Sequence, residues 1–241
     1  GPDLGVCGTL SATLGAIASV GTGTWTKESG PGTVSFSSAS SPTSTATVSQ
    51  YGTYVLRWTE VNGGICTTSD LITVSYERAA NAGPAQNLCA VLSATMAGNT
   101  PAVGTGTWSQ VSGPGTSSFS PDVNTPAAIV TVSAAGTYVF KSTIANGAFC
   151  STESNVTMTF EVAASAGPAQ NLCGTLVATM AGNTPAVGTG AWTFVSGPGT
   201  VNFTPNNSTP GATATVSAYG SYVFRWTVSN GAFCSTNQTV S

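Results

Sequence analysis

Six cysteines have the most chemistry to offer in this chain of 241 residues: Cys7, Cys66, Cys89, Cys150, Cys173 and Cys234. Successive pairs are separated by 59, 61 and 61 residues, far from the CxxC spacing of a metal or redox site. At such spacing two thiols do structural work. A disulfide closing a loop of about 60 residues contributes roughly 4 kcal/mol on chain-entropy grounds. The spacing favours one bridge within each pair: Cys7 with Cys66, Cys89 with Cys150, and Cys173 with Cys234. That pairing holds only if the residues before Cys7 are a lead-in. A strand there would send Cys7 to the pole opposite Cys66, beyond the Cα separation of about 7 Å that a disulfide spans. Disulfide chemistry implies an oxidising, extracellular setting.

Other reactive groups are scarce. The chain has no histidine, which excludes Ser-His-Asp and Cys-His catalysis. The acidic residues are Asp3, Glu28, Glu60, Asp70, Glu77, Asp122, Glu153 and Glu161. They read as out of step with one another, and calcium needs several carboxylates converging on one ion. No catalytic residue, no metal and no cofactor is therefore expected. Five basic residues cannot displace the counterions of a nucleic acid. Three of them, Arg57, Lys141 and Arg225, occupy one recurring position. Each is expected to lie over an aromatic ring or to bridge to a nearby carbonyl on its own sheet, rather than to form a cationic ladder. The sequons at Asn155, Asn206, Asn207 and Asn237 matter only in a host that glycosylates asparagine.

Tryptophan is the remaining candidate for binding. Trp25, Trp108 and Trp192 share one position, and Trp58 and Trp226 share another where the middle copy has Ser142. Exposed, they would stack on sugar rings; buried, they fill a sandwich core. Trp58 alternates with Tyr54 and Leu56, the pattern of a core face.

The elements that position these groups are written three times, with a period of 82 to 84 residues. Ser29–Gly30–Pro31–Gly32 returns as Ser112–Gly113–Pro114–Gly115 and Ser196–Gly197–Pro198–Gly199, and Gly52–Thr53–Tyr54 as Gly136–Thr137–Tyr138 and Gly220–Ser221–Tyr222. A fixed period means an array of one small unit, with modules at 1–80, 81–164 and 165–241, the last with its final strand cut short. Within a module, alternation predicts strands around Leu10–Leu14, Thr22–Thr26, Val34–Phe36, Ala46–Val48, Tyr54–Trp58 and Ile72–Tyr76. Turns at Asn62–Gly63–Gly64, Asn146–Gly147 and Asn230–Gly231 separate strands. No stretch has helical apolar spacing. The fold class is all-β: three tandem immunoglobulin-like β-sandwich modules in a linear array. Only 5% of residues are charged, against about 25% in an average protein. No run is apolar enough to span a membrane, and any leader or anchor is expected outside this sequence. The junctions at 77–84 and 161–168 are short and alike, so the modules are expected to stack as a semi-rigid rod of about 100 Å.

The run Gly83–Pro84–Ala85–Gln86–Asn87–Leu88–Cys89, Trp108 with Ser112–Gly113–Pro114–Gly115, and Gly136–Thr137–Tyr138–Val139–Phe140 followed by Asn146–Gly147 and Cys150 resemble PKD-like repeats of giant bacterial cell-surface gliding adhesins. The resemblance spans all three modules. It implies β-sandwiches, export to the cell surface, and a stalk that serves attachment and gliding motility. Expected partners are neighbouring repeats of the same chain, and surface polysaccharide or abiotic surfaces. The alternatives are a carbohydrate-binding array, which needs exposed tryptophans, and the spacer region of a secreted polysaccharide-degrading enzyme. The Asp- and Asn-rich turn of many PKD domains is absent after Trp25, Trp108 and Trp192.

Overall fold

A computed structural model describes residues 1–232 and 234–241. The first module contains β1 (Leu4–Cys7), β2 (Ser11–Thr13), β3 (Thr22–Ser29), β4 (Val34–Phe36), β5 (Thr45–Val48), β6 (Gly52–Asn62) and β7 (Cys66–Glu77). Its two sheets run β1-β7-β6-β3 and β2-β5-β4. The second repeats this with β8 (Gln86–Cys89), β9 (Ser93–Thr95), β10 (Thr105–Ser112), β11 (Ser117–Ser120), β12 (Ile129–Val132), β13 (Gly136–Asn146) and β14 (Cys150–Glu161). The third has β15 (Val177–Thr179), β16 (Thr189–Ser196), β17 (Val201–Thr204), β18 (Thr213–Val216), β19 (Val223–Asn230) and β20 (Cys234–Val240). Each module is an immunoglobulin-like sandwich, and no described residue is helical.

All six strands expected in the first module are present, and one more precedes them. Residues Leu4–Cys7 pair in parallel with the end of β7, with Leu4 opposite Val74 and Cys7 opposite Glu77. Gln86–Cys89 pair likewise with Met158–Glu161. After each of these strands the backbone takes a left-handed step, at Gly8 (φ 74°) and Ala90 (φ 58°), and crosses to the other sheet. Here Gly8 N–H donates to the Glu77 carbonyl at 2.8 Å, and Ala90 N–H to that of Glu161 at 2.9 Å.

The cores follow the alternation of the strands. In the first module Tyr54, Leu56, Trp58, Ile72, Val74 and Tyr76 are buried from one sheet, and Ala12, Ala46 and Val48 face them from the other. The Trp25 and Trp58 rings meet at 5.1 Å, and Trp192 and Trp226 at 5.0 Å. Where Ser142 replaces the second tryptophan, the Pro101 ring stands over Gly106; in the third module the Trp226 ring stands over Gly190. Tyr76 and Phe160 fill the end of the core in the first two modules.

The two recurring motifs meet in space. The ring of Pro31 lies against Gly52, that of Pro114 against Gly136, and that of Pro198 against Gly220. Each glycine also holds a positive φ, 149°, 145° and 151° respectively. Two residues on, the tyrosine hydroxyl donates back to the carbonyl four residues upstream: Tyr54 to Gln50, Tyr138 to Ala134 and Tyr222 to Ala218, all at 2.9 Å. This is the tyrosine corner of immunoglobulin-like sandwiches. A Cβ at Gly136 would lie 2.5 Å from Pro114 Cγ, on a backbone that L-residues avoid. Gly136→Ala should therefore destabilise the second module by about 1–3 kcal/mol, read as a lowered midpoint in urea unfolding.

Candidate functional site: the stapled junctions

The first strand decides where the cysteines go. Cys7 sits opposite Glu77 at one end of β7, and Cys66 begins β7 at the other. Eleven residue steps of extended chain place them about 36 Å apart. The bridge expected within each module is therefore geometrically excluded. Cys7 instead bonds Cys150 of the second module, and Cys89 bonds Cys234 of the third, with Cα–Cα distances of 5.9 and 5.4 Å. Cys66 and Cys173 are free and exposed. The rule is the same at both junctions: the first cysteine of one module reaches the second cysteine of the next.

Beside each disulfide stands a carboxylate from the same strand end. Glu77 is wholly buried and Glu161 nearly so. Glu77 Oε1 accepts from Arg78 N–H at 2.6 Å and Ala102 N–H at 2.7 Å, while Oε2 accepts from Val103 N–H at 2.8 Å and Gly104 N–H at 2.5 Å. Glu161 repeats the arrangement with Val162, Ala186, Val187 and Gly188 at 2.6–3.0 Å. Burial alone would push these carboxyl groups up; the four backbone donors outweigh it and hold both below the usual glutamate value. Charge-assisted bonds of this kind are the strong ones. Each carboxylate from one module thus organises a loop of the next.

The linker is held along its length. Ala80 N–H donates to Thr152 Oγ1 and Ala82 N–H to Ser154 Oγ, at 2.8 and 3.1 Å. Asn99 accepts from Asn81 N–H at 2.7 Å and donates its amide to the Ala79 carbonyl at 3.0 Å. At the second junction Ala164, Ser165 and Ala166 donate to Thr236, Asn183 and Gln238 at 2.7–2.8 Å. Phe149 covers Gly5 of the preceding module, leaving no room for a side chain there. With most of its N–H groups occupied, this segment is braced rather than free to hinge.

Two expectations about charge are corrected or refined. The acidic residues are not all out of step, since Glu77 and Glu161 are equivalent and carry the clamp. A search restricted to the repeat register would have found them, each separated by one residue from an Ala-Ala pair (Ala79–Ala80 and Ala163–Ala164). Arg57 does bridge within its own sheet, but to a carboxylate: it holds Glu28 through two bonds, at 2.8 and 3.0 Å. Lys141 Nζ donates to Glu153 at 2.7 Å. Arg225 is exposed. No ladder links the three.

The tryptophans are closed to solvent. Trp25, Trp58, Trp108, Trp192 and Trp226 are all at most 5% exposed, and the Nε1 of Trp25, Trp108 and Trp192 donates to the carbonyls of Ser41, Pro126 and Pro210. They offer no face to a sugar ring, which removes the stacking platform of the carbohydrate-binding alternative. Among the described residues, no group of three or more His, Cys, Asp or Glu side chains stands together as a metal site. No helix among them is long and apolar enough to cross a membrane.

No family model matches the chain, and none of the curated proteins does. Solved structures are similar to it. An I-band fragment of titin is 14% identical over all of this chain and 94% of its own, with a TM-score of 0.38. The PKD domain of the KIAA 1837 protein is 27% identical over 38% of this chain and 92% of its own, at 0.31. The insect immune protein hemolin is 9% identical over 99% of this chain and 72% of its own, at 0.43.

Proposed function

We propose that the chain is a structural and adhesive repeat segment of a large cell-surface adhesin, a semi-rigid stalk whose modules, drawn at 1–80, 81–164 and 165–241, extend and carry surface contacts, including those of gliding motility. The observation that carries this reading is the junction. A disulfide, a buried carboxylate clamp and a fixed linker recur at both module boundaries, so the recurring chemistry of the repeat holds modules end to end. The disulfides favour an oxidising, extracellular location. Buried tryptophans and the absence of histidine favour a mechanical over a catalytic role.

Small-angle X-ray scattering of the oxidised chain tests the stalk. A maximum dimension of about 100 Å or more, with the profile of a stiff rod, is expected. A compact particle, or a broad distribution of bent shapes under oxidising conditions, would count against it. Retention of the chain on polysaccharide-coated or bare hydrophobic surfaces, scaling with the number of repeats, tests the adhesive part.

A further inference from the structure

We propose that the two disulfides turn the middle module into a tension member: a pull along the chain is divided among three segments in parallel, so that no module opens alone. The inference rests on the bonds at the two junctions and not on the adhesive reading, and the two can fail separately.

The bonds Cys7–Cys150 and Cys89–Cys234 interlock, because Cys89 lies inside the loop closed by the first and Cys150 inside the loop closed by the second. Three stretches of chain therefore connect one bond to the other. They run from Cys7 to Cys89, from Cys89 to Cys150 and from Cys150 to Cys234, over 82, 61 and 84 residues. The first carries β2 to β8, the second β9 to β13 and the third β14 to β19. In an unbridged chain the modules stand in series, and the weakest opens first. Joined at both ends, the three stretches must lengthen together.

None of them has slack along the middle module. Twelve steps of chain from Glu77 to Cys89 run beside β14, which covers the same module in eleven. Ala80 and Ala82 donate to Thr152 and Ser154, and Gln86–Cys89 pair in parallel with Met158–Glu161. Each run spans about 36–40 Å, close to the limit of an extended chain. Drawing the two bonds apart therefore drags strands lengthwise past their partners. In the second module β14 slides along β8, and in the first β1 slides along β7. Such sliding strains the hydrogen bonds of a ladder together rather than one after another. In the third segment the pull falls on the Glu161 clamp, which holds Ala186, Val187 and Gly188. All three sets of contacts resist the same displacement.

Single-molecule force spectroscopy tests this on the full chain, held by its two ends with Cys66 and Cys173 alkylated. The reduced chain should open in three steps of about 200–250 Å each. The oxidised chain should hold to at least about twice the force of those steps. It should then gain no more than about 200 Å in all, the reach of its shortest segment of 61 residues. Combining Cys7→Ser with Cys150→Ser should restore one step of about 200–250 Å, from the first module, since Cys89–Cys234 still encloses residues 90–233. Three full steps from an oxidised chain whose bridges are verified by peptide mapping overturn the proposal. So does rupture at the force of the reduced steps, or a second full step in the variant.

Discussion

Replacing Cys7 and Cys150 together with serine should cost the oxidised chain about 2–5 kcal/mol of unfolding free energy and uncouple its first two modules. The bond closes 143 residues, running from the end of the first strand of one module to the start of the last strand of the next. The tether restricts the conformations open to either module's chain once it unfolds. The double change is preferred to either single one, because a lone thiol at either site would be free to exchange with Cys66. Tryptophan fluorescence reports the outcome, with Trp25 and Trp58 in the first module and Trp192 and Trp226 in the third. Two transitions are expected in urea, with the earlier one belonging to the first module, since Cys89–Cys234 still ties the second to the third, and scattering should show bending at the first boundary alone. Identical unfolding curves and stiffness with and without the bridge would remove the staple's mechanical role. Reduction of the wild-type chain should reproduce the effect at both junctions.

Which parts of this were legible in the sequence follows from the range of the interactions. Alternation along Tyr54–Trp58 and Ile72–Tyr76 encodes burial locally, so strands, cores and the closed tryptophans could be read. Pairing between distant segments could not. Leu4–Cys7 is four residues long and contains Gly5, and nothing in its composition distinguishes a strand from a lead-in. Its parallel pairing with the end of β7 is visible only in three dimensions, and that single strand moves Cys7 from one pole of the module to the other. The equal cysteine spacings are thus a property of the repeat, not of a bridge inside it. The meeting of Pro114 with Gly136 is a second case: both motifs stood out by recurrence, while their contact is a property of the turn geometry. Glu77 and Glu161 were hidden for another reason. A charged residue usually signals a solvated surface, and only the loop of the following module, about 25 residues away, shows these two to be buried and paired.

Glu77→Gln should loosen the first junction while the disulfide stays intact. The glutamine amide keeps one oxygen but turns an NH2 group toward backbone donors, so two of the N–H groups at Arg78, Ala102, Val103 and Gly104 lose their acceptor. Loss of charge-assisted bonds at a buried site costs about 2–3 kcal/mol. The effect should appear as faster amide exchange at Ala102, Val103 and Gly104, by about 30–100-fold, with Ala186, Val187 and Gly188 of the second junction serving as an unchanged internal control. The same clamp sets a pH dependence. Both carboxyl groups are held below the ordinary glutamate value of 4.5 when folded, so the unfolded chain binds their protons more readily. Their contribution is then fully present above about pH 4.5 and is lost as pH falls through the lowered folded value. Glu28, Glu60 and Asp70 are lowered as well, and the difference between wild type and variant isolates the clamp from them. In the wild-type chain the protected amides at both loops should open together on acidification, whereas in Glu77→Gln only the second loop should respond. Equal acid response of both loops in the variant would mean that the carboxylate is not what holds the modules in register.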